Sequence, residues 1–305
     1  MTATSAPARG GVRSPAGGAV RGARRRWRLP FSPWHLVLIP ATIVLIFPFV
    51  WLVITSVQTP AEALHFPPVL IPHQIRLANY PDALNSAPFG RFFVNSAIVA
   101  VVTVLSNLVL CSLAGYAFAR FRFLGRTALF AVIMATLMVP FQVTMIPQFI
   151  ITKWLGVHVL AAVGINHLGA LILPNAATAF GIFFLRQFFR TLPLEYEESA
   201  RVDGAGAWHR TLRIVVPLLR PTIVNLVILD FIGKMKQFAL VWVMTRGGPM
   251  WGTETVATYV VKRAFEWKTL DLGYPSAIAV IWFVIIFGLS LLLTRVLQRR
   301  EALEF

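Results

Sequence analysis

The sequence predicts an all-α membrane protein with six transmembrane helices, and three observations carry that prediction. Of 305 residues, 57% are hydrophobic and 13% charged, with a mean hydropathy of +0.71; a soluble domain carries about 25% charged residues. Six apolar stretches are each long enough to cross a hydrocarbon core about 30 Å thick, which takes about 20 helical residues. The basic residues gather on alternate connections between those stretches.

Residues 1–30 are rich in Ala, Gly, Arg, Ser and Pro, a composition that cannot bury a core, and are expected to form a disordered basic cytosolic tail. The run Arg24-Arg25-Arg26-Trp27-Arg28 looks like a twin-arginine export signal, but no short apolar region ending at a small-residue cleavage site precedes the first span, so that span is expected to stay in the membrane. The expected spans are Leu36–Val57, Phe92–Phe118, Ala128–Ile151, Leu168–Phe188, Ile223–Met244 and Ser276–Leu297, within a transmembrane domain of residues 31–300 followed by a short cytosolic tail, 301–305. All are apolar on every side and none alternates with a period of two, which favours helices over a barrel. Pro40, Pro48, Pro140, Pro147 and Pro174 fall inside them, as kinks for packing or as sites that free a carbonyl beside a cavity.

Orientation follows from charge. Arg9, Arg13, Arg21, Arg24, Arg25, Arg26, Arg28, Arg120, Arg122, Arg126, Arg186, Arg190, Arg201, Arg210, Arg213, Arg220, Arg295, Arg299 and Arg300 lie on one side. Only Arg76, Arg91, Lys153, Arg246, Lys262, Arg263 and Lys268 lie on the other. The richer side is cytosolic by the positive-inside rule, which puts both termini in the cytosol.

The net charge of +16 is therefore juxtamembrane, and the sequence shows no module that binds nucleic acid. The single cysteine, Cys111, sits in an apolar run and reads as a packing residue. The six histidines are scattered, with no pair at metal-ligand spacing. An ion-coupled secondary transporter usually buries several carboxylates in its spans, whereas Asp230 is the only acid in any of these. A membrane hydrolase needs a nucleophile–base pair, a carboxylate pair or metal ligands in its spans, and none is present.

The longest cytosolic connection, about residues 190–219, reads as a helix–turn–helix under the membrane. Pro193 suits a first helical turn, and Glu195, Glu197 and Glu198 complement the positive end of its dipole. Gly204 and Gly206 permit a stop and a sharp turn. A second short helix would follow, with Trp208, Leu212, Val215 and Leu219 on one face. By itself this could be a well-capped surface pair with no partner.

The residues Glu198-Ser199-Ala200, Asp203-Gly204-Ala205 and Ile214-Val-Val-Pro217 resemble the cytoplasmic EAA loop of binding-protein-dependent ABC importer permeases: Glu-Ala-Ala, three residues, Gly, nine residues, Ile-x-Leu-Pro. Ser199 and Val216 depart from that pattern. The likeness runs from about Pro33 to Arg300. Phe118–Arg126 and Phe183–Phe188 look like the second permease subunit of maltose-type carbohydrate importers, while Thr245-Arg-Gly-Gly-Pro249 and Thr253–Tyr259 look like the first. Either seat of a heterodimer, or self-pairing, stays open.

The resemblance implies the type I, maltose-like permease architecture and import of a sugar or sugar-like solute; a monosaccharide, a polyol or glycerol phosphate are alternatives to an oligosaccharide. It implies a second permease subunit, two copies of a cytosolic ATPase and an extracytoplasmic binding protein that hands solute to the loops around 58–91 and 245–275. Glu198, Ser199, Ala200, Asp203, Gly204, Ala205 and Pro217 would form the ATPase-coupling site, with Glu198 reaching basic residues of the ATPase. The chain carries no phosphate-binding loop of its own, so ATP and Mg are expected on the partner and no cofactor on this chain.

Span five is interrupted by Asp230, Lys234, Lys236 and Gln237. A charge at mid-bilayer costs about 2.5–3.5 kcal/mol on insertion scales, so such groups face a cavity or a partner. Asp230 and Lys234 are one turn apart and can pair; Lys236, six residues from Asp230, lies about 240° around the helix from it. The four read either as a polar solute path or as one structural pair with a lysine that snorkels to water.

Overall fold

A computed structural model describes Ser32, residues 34–267 and residues 271–298; the tails expected at 1–30 and 301–305 lie outside the described residues. In chain order the helices are α1 (His35–Ser56), α2 (Pro60–Ala63), α3 (Asn79–Asn85), α4 (Phe89–Arg120), α5 (Arg126–Thr136), α6 (Phe141–His158), α7 (Gly169–Ile172), α8 (Ala179–Thr191), α9 (Glu195–Val202), α10 (Ala207–Arg210), α11 (Val216–Leu218), α12 (Arg220–Met235), α13 (Ala239–Met244), α14 (Val256–Val261) and α15 (Gly273–Gln298). There is no strand among the described residues. The all-α class stands.

The chain divides into two units, residues 1–47 and 48–305. The described part of the first is the beginning of α1, a run of exposed apolar side chains such as Leu36, Ile43 and Leu45. In the second, α4 supplies residues to each of three buried clusters. Phe89, Phe92, Ala100 and Val104 pack with Phe231 and Met235 of α12, Tyr259 of α14 and Ile278 and Trp282 of α15. Cys111 joins Leu185 and Phe189 of α8, and Val99 joins Leu171 of α7 and Leu240, Val241 and Met244 of α13. Cys111 is indeed a fully buried packing residue.

Three helices are long and apolar enough to cross a membrane unaided: α1, α4 and α15. The count reaches six only when bent pairs are taken as single spans. Predicted span three is α5 and α6, bent by 105°. Pro140, at φ −60° and ψ 141°, has no N–H to continue the helix and pushes the preceding residue out of the α region. Predicted span four is α7 with a short 3-10 turn, then α8, bent by 43°; Thr178 restarts the chain by accepting the Gly181 N–H at 3.1 Å.

Predicted span five, Ile223–Met244, is not one helix. Helix α12 ends at Met235, Lys236 leaves helical geometry at φ −95° and ψ 7°, and α13 begins at Ala239. Sixteen residues make about 24 Å of helix, short of a bilayer core. The break falls on Lys236 and Gln237, the polar residues that a continuous apolar helix would strand in hydrocarbon.

Candidate functional site

Helix α9 is closed by a complete Schellman motif. Gly204 adopts φ +81°, the Ala205 N–H donates to the Ala200 carbonyl at 2.9 Å, and the Gly204 N–H donates to the Arg201 carbonyl at 3.1 Å. A side chain at 204 would meet nothing within 4 Å among the described residues, so only the positive φ restricts the position.

The acidic residues of α9 divide. Glu198 points outward and is exposed, as are Ser199, Asp203 and Pro217, while Ala200 and Ala205 are half-buried. Glu197 is buried instead. Its carboxylate accepts from Arg120 Nε at 2.9 Å and from the Tyr116 hydroxyl at 2.8 Å, and Arg120 Nη2 also donates to the Leu192 carbonyl at 3.0 Å. Sequence reading treated Glu197 as a dipole partner like its neighbours. What it missed is that position 197 faces α4, four residues after Pro193 has turned the chain.

The expected apolar face of the second helix also divides. Val215 and Leu219 are buried, whereas Trp208 is 76% exposed and Leu212 is exposed with it. A π turn over Thr211–Val215 explains the split: its wider winding rotates residues before it away from those after it. Trp208 and Leu212 are thus exposed, as are Leu194, Tyr196 and Val202 and the charged Glu195, Glu198, Arg201 and Asp203.

In the interrupted fifth span, Lys234 Nζ lies 3.7 Å from Asp230 and donates to Asn175 Oδ1 at 3.0 Å. The partner absent from the sequence reading is therefore Asn175, at the break in span four. Asn107 of α4 donates to the Asn175 carbonyl and to Thr178, at 3.4 and 3.3 Å. Amides inside apolar spans were the available signal. Lys236 is exposed and lines a groove of about 520 Å³ with Phe49, Phe238, Trp282 and Phe283. Gln237 Oε1 is buried with no hydrogen-bond partner among the described residues. The structure brings Asp230 and Lys234 together and leaves Lys236 outside that pair.

The loop that follows α13 is tightly built. Lys262, expected on the external side, is buried, with its ammonium on Glu254 at 2.5 Å and on the Arg246 carbonyl at 2.7 Å. Thr258 donates to the second Glu254 oxygen at 2.6 Å. Gly247, at φ +80°, sits on that carboxylate so closely that a methyl group there would overlap it. Thr253 ties the turn by donating to the Gly248 carbonyl at 2.6 Å. These contacts account for the Thr245–Pro249 and Thr253–Tyr259 motifs.

Residues 107–302 match the model of the family described as binding-protein-dependent transport system inner membrane component. The diacetylchitobiose uptake system permease protein NgcG of Streptomyces coelicolor is 31% identical over 271 residues, covering 88% of this chain and 85% of that protein. The sn-glycerol-3-phosphate transport system permease protein UgpE of Rhizobium meliloti is 31% identical over 211 residues, covering 67% and 72%. In the crystal structure of a bacterial ABC transporter involved in the import of the acidic polysaccharide alginate, one chain superposes with a TM-score of 0.69 at 18% identity, covering 85% of this chain and 97% of that one. A second structure, of bacterial alginate ABC transporter in complex with alginate pentasaccharide-bound periplasmic protein, superposes at 0.64 and 16% identity, covering 88% and 94%. The all-α fold with its broken spans, the exposed turn at Gly204 and these matches agree: the chain belongs to the binding-protein-dependent transport system inner membrane components, the permease subunits of ABC importers.

Proposed function

We propose that this chain imports a sugar or sugar-like solute, delivered by an extracytoplasmic binding protein, as one of a pair of permease subunits driven by two copies of a separate ATPase subunit. Both termini face the cytosol in this reading, and α9 with its turn is the ATPase-coupling element. The observation that carries it is the division of α9: Glu197 anchors the helix inward, which leaves Glu198, the Gly204 turn, Trp208 and Leu212 exposed among the described residues. The relatives that transport diacetylchitobiose and glycerol phosphate, and the alginate importer with its periplasmic protein, support the solute class and the delivery partner.

Lys236 and Gln237, at the break in span five, are the proposed solute contacts: the exposed ammonium can donate to a polyhydroxylated solute, and the Gln237 Oε1, without a partner among the described residues, can accept from one once the break opens. The lysine gives specific favour to a second reading of the solute, one bearing a phosphate or another anionic group.

The test is purification of the tagged chain from its native membrane. The wild type should bring down an ATPase and a second permease subunit. Gly204→Asp should insert normally, because the position has space and Asp tolerates positive φ better than most residues, yet lose the ATPase. Full ATPase recovery with that variant would overturn the coupling assignment.

A further inference from the structure

Helix α4 is bonded at both ends to the two loops assigned above to docking. At one end, Tyr116 and Arg120 hold Glu197 of α9, and Arg120 also holds the Leu192 carbonyl just before it. At the other, Asn95 donates to the Glu254 carbonyl at 2.9 Å and to the Gly252 carbonyl at 3.2 Å, and Ser96 accepts the Val256 N–H at 3.3 Å. Asn95, Ser96 and Glu197 are all buried. The Phe92 ring meets Trp251 edge-on at 5.9 Å. That loop is stiffened from beneath by Glu254 and Lys262, and it projects Met250, 91% exposed.

Between the two attachments, Asn95 to Arg120, the helix rises about 38 Å. It holds no proline and no break, unlike the chain at Pro140, at Thr178 and at Lys236. Spans three, four and five are each broken, whereas α4 is one continuous hydrogen-bonded helix between its two attachments.

We propose that α4 is the connecting rod between the two faces, with Asn95 and Glu197 as its positioning residues: movement of the 245–256 loop when a binding protein seats is carried through Asn95 along α4 to Glu197 and so to α9. This rests on the coupling and delivery roles given above. Neither residue touches solute or nucleotide; each acts by fixing the loop beside it.

The experiment uses the complete complex in nanodiscs and measures ATP hydrolysis without and with saturating solute-loaded binding protein. Glu197→Gln and Asn95→Ala should each lower the stimulated-to-basal ratio at least about fivefold, the lower range of allosteric couplings, with subunit stoichiometry and basal rate unchanged. The double variant should be no worse than the more severe single one, because both cut the same rod. Full stimulation in an assembled single variant, or losses that multiply, would overturn the proposal. If Glu197→Gln fails to assemble, Tyr116→Phe removes one bond to the same carboxylate and should lower the ratio part-way; an unchanged ratio there counts equally against the rod. Gly204→Asp separates the two ideas: if it keeps its ATPase, the coupling assignment fails, whereas loss of ATPase there with intact stimulation in Glu197→Gln removes the rod alone.

Discussion

Glu254 and Lys262 form an ion pair from which the carboxylate is wholly excluded from solvent, with 0% exposure at Glu254 and 2.5 Å between the charged atoms. Both charges have further hydrogen-bond partners, Thr258 for the carboxylate and the Arg246 carbonyl for the ammonium. A buried pair without such partners does not repay its desolvation; this one has them.

Removing one partner should therefore be costly. Glu254→Gln or Lys262→Met is expected to destabilise the purified protein by about 3–5 kcal/mol, the usual cost of an orphaned buried charge. The double substitution should recover more than half of that. Thermal unfolding in detergent, followed by size-exclusion fluorescence, reads both; a double variant as unstable as the singles would show that the charges do not interact. Gly247→Ala should resemble the single variants, since its methyl group would collide with the same carboxylate.

The fifth span offers a contrast between two lysines. Asp230→Asn leaves Lys234 with Asn175 as its acceptor and no anion, so it should chiefly reduce the yield of folded complex. Lys236→Met should leave yield and basal ATP hydrolysis near normal but raise the solute concentration for half-maximal uptake about tenfold or more, as expected for a charged contact worth about 1.5 kcal/mol or more. Unchanged uptake kinetics in Lys236→Met would return this residue to snorkelling and remove it from the solute path.

Orientation can be read with single cysteines in a Cys111→Ser background. Ala61 and Met250 are exposed on the loops expected outside, and Leu124 is exposed on the loop expected inside. A membrane-impermeant thiol reagent should label positions 61 and 250 in sealed cells, and position 124 only after permeabilisation. Labelling of position 124 from outside would reverse the proposed topology.

Composition and apolar run length determined the solvent of this protein, its helical class and the three unbroken apolar helices α1, α4 and α15, because transfer of apolar side chains out of water depends on local sequence alone. The turn at Gly204 was equally legible, since only glycine takes positive φ without penalty and the flanking motif has fixed spacing. The Asp230–Lys234 pair follows from helical periodicity. Tertiary structure decided the remainder. Glu197 and Glu198 are chemically alike and adjacent, yet one is buried on Arg120 and the other presented outward, a difference set by where α4 lies. Lys262 looks like any external lysine until the loop folds Glu254 beneath it, and nothing within span five marks Asn175 of span four as the acceptor for Lys234. Each of these outcomes depends on groups distant in the chain meeting in a medium of low dielectric constant, where a charge or amide is stable only beside its partner, and no periodicity within a segment names that partner.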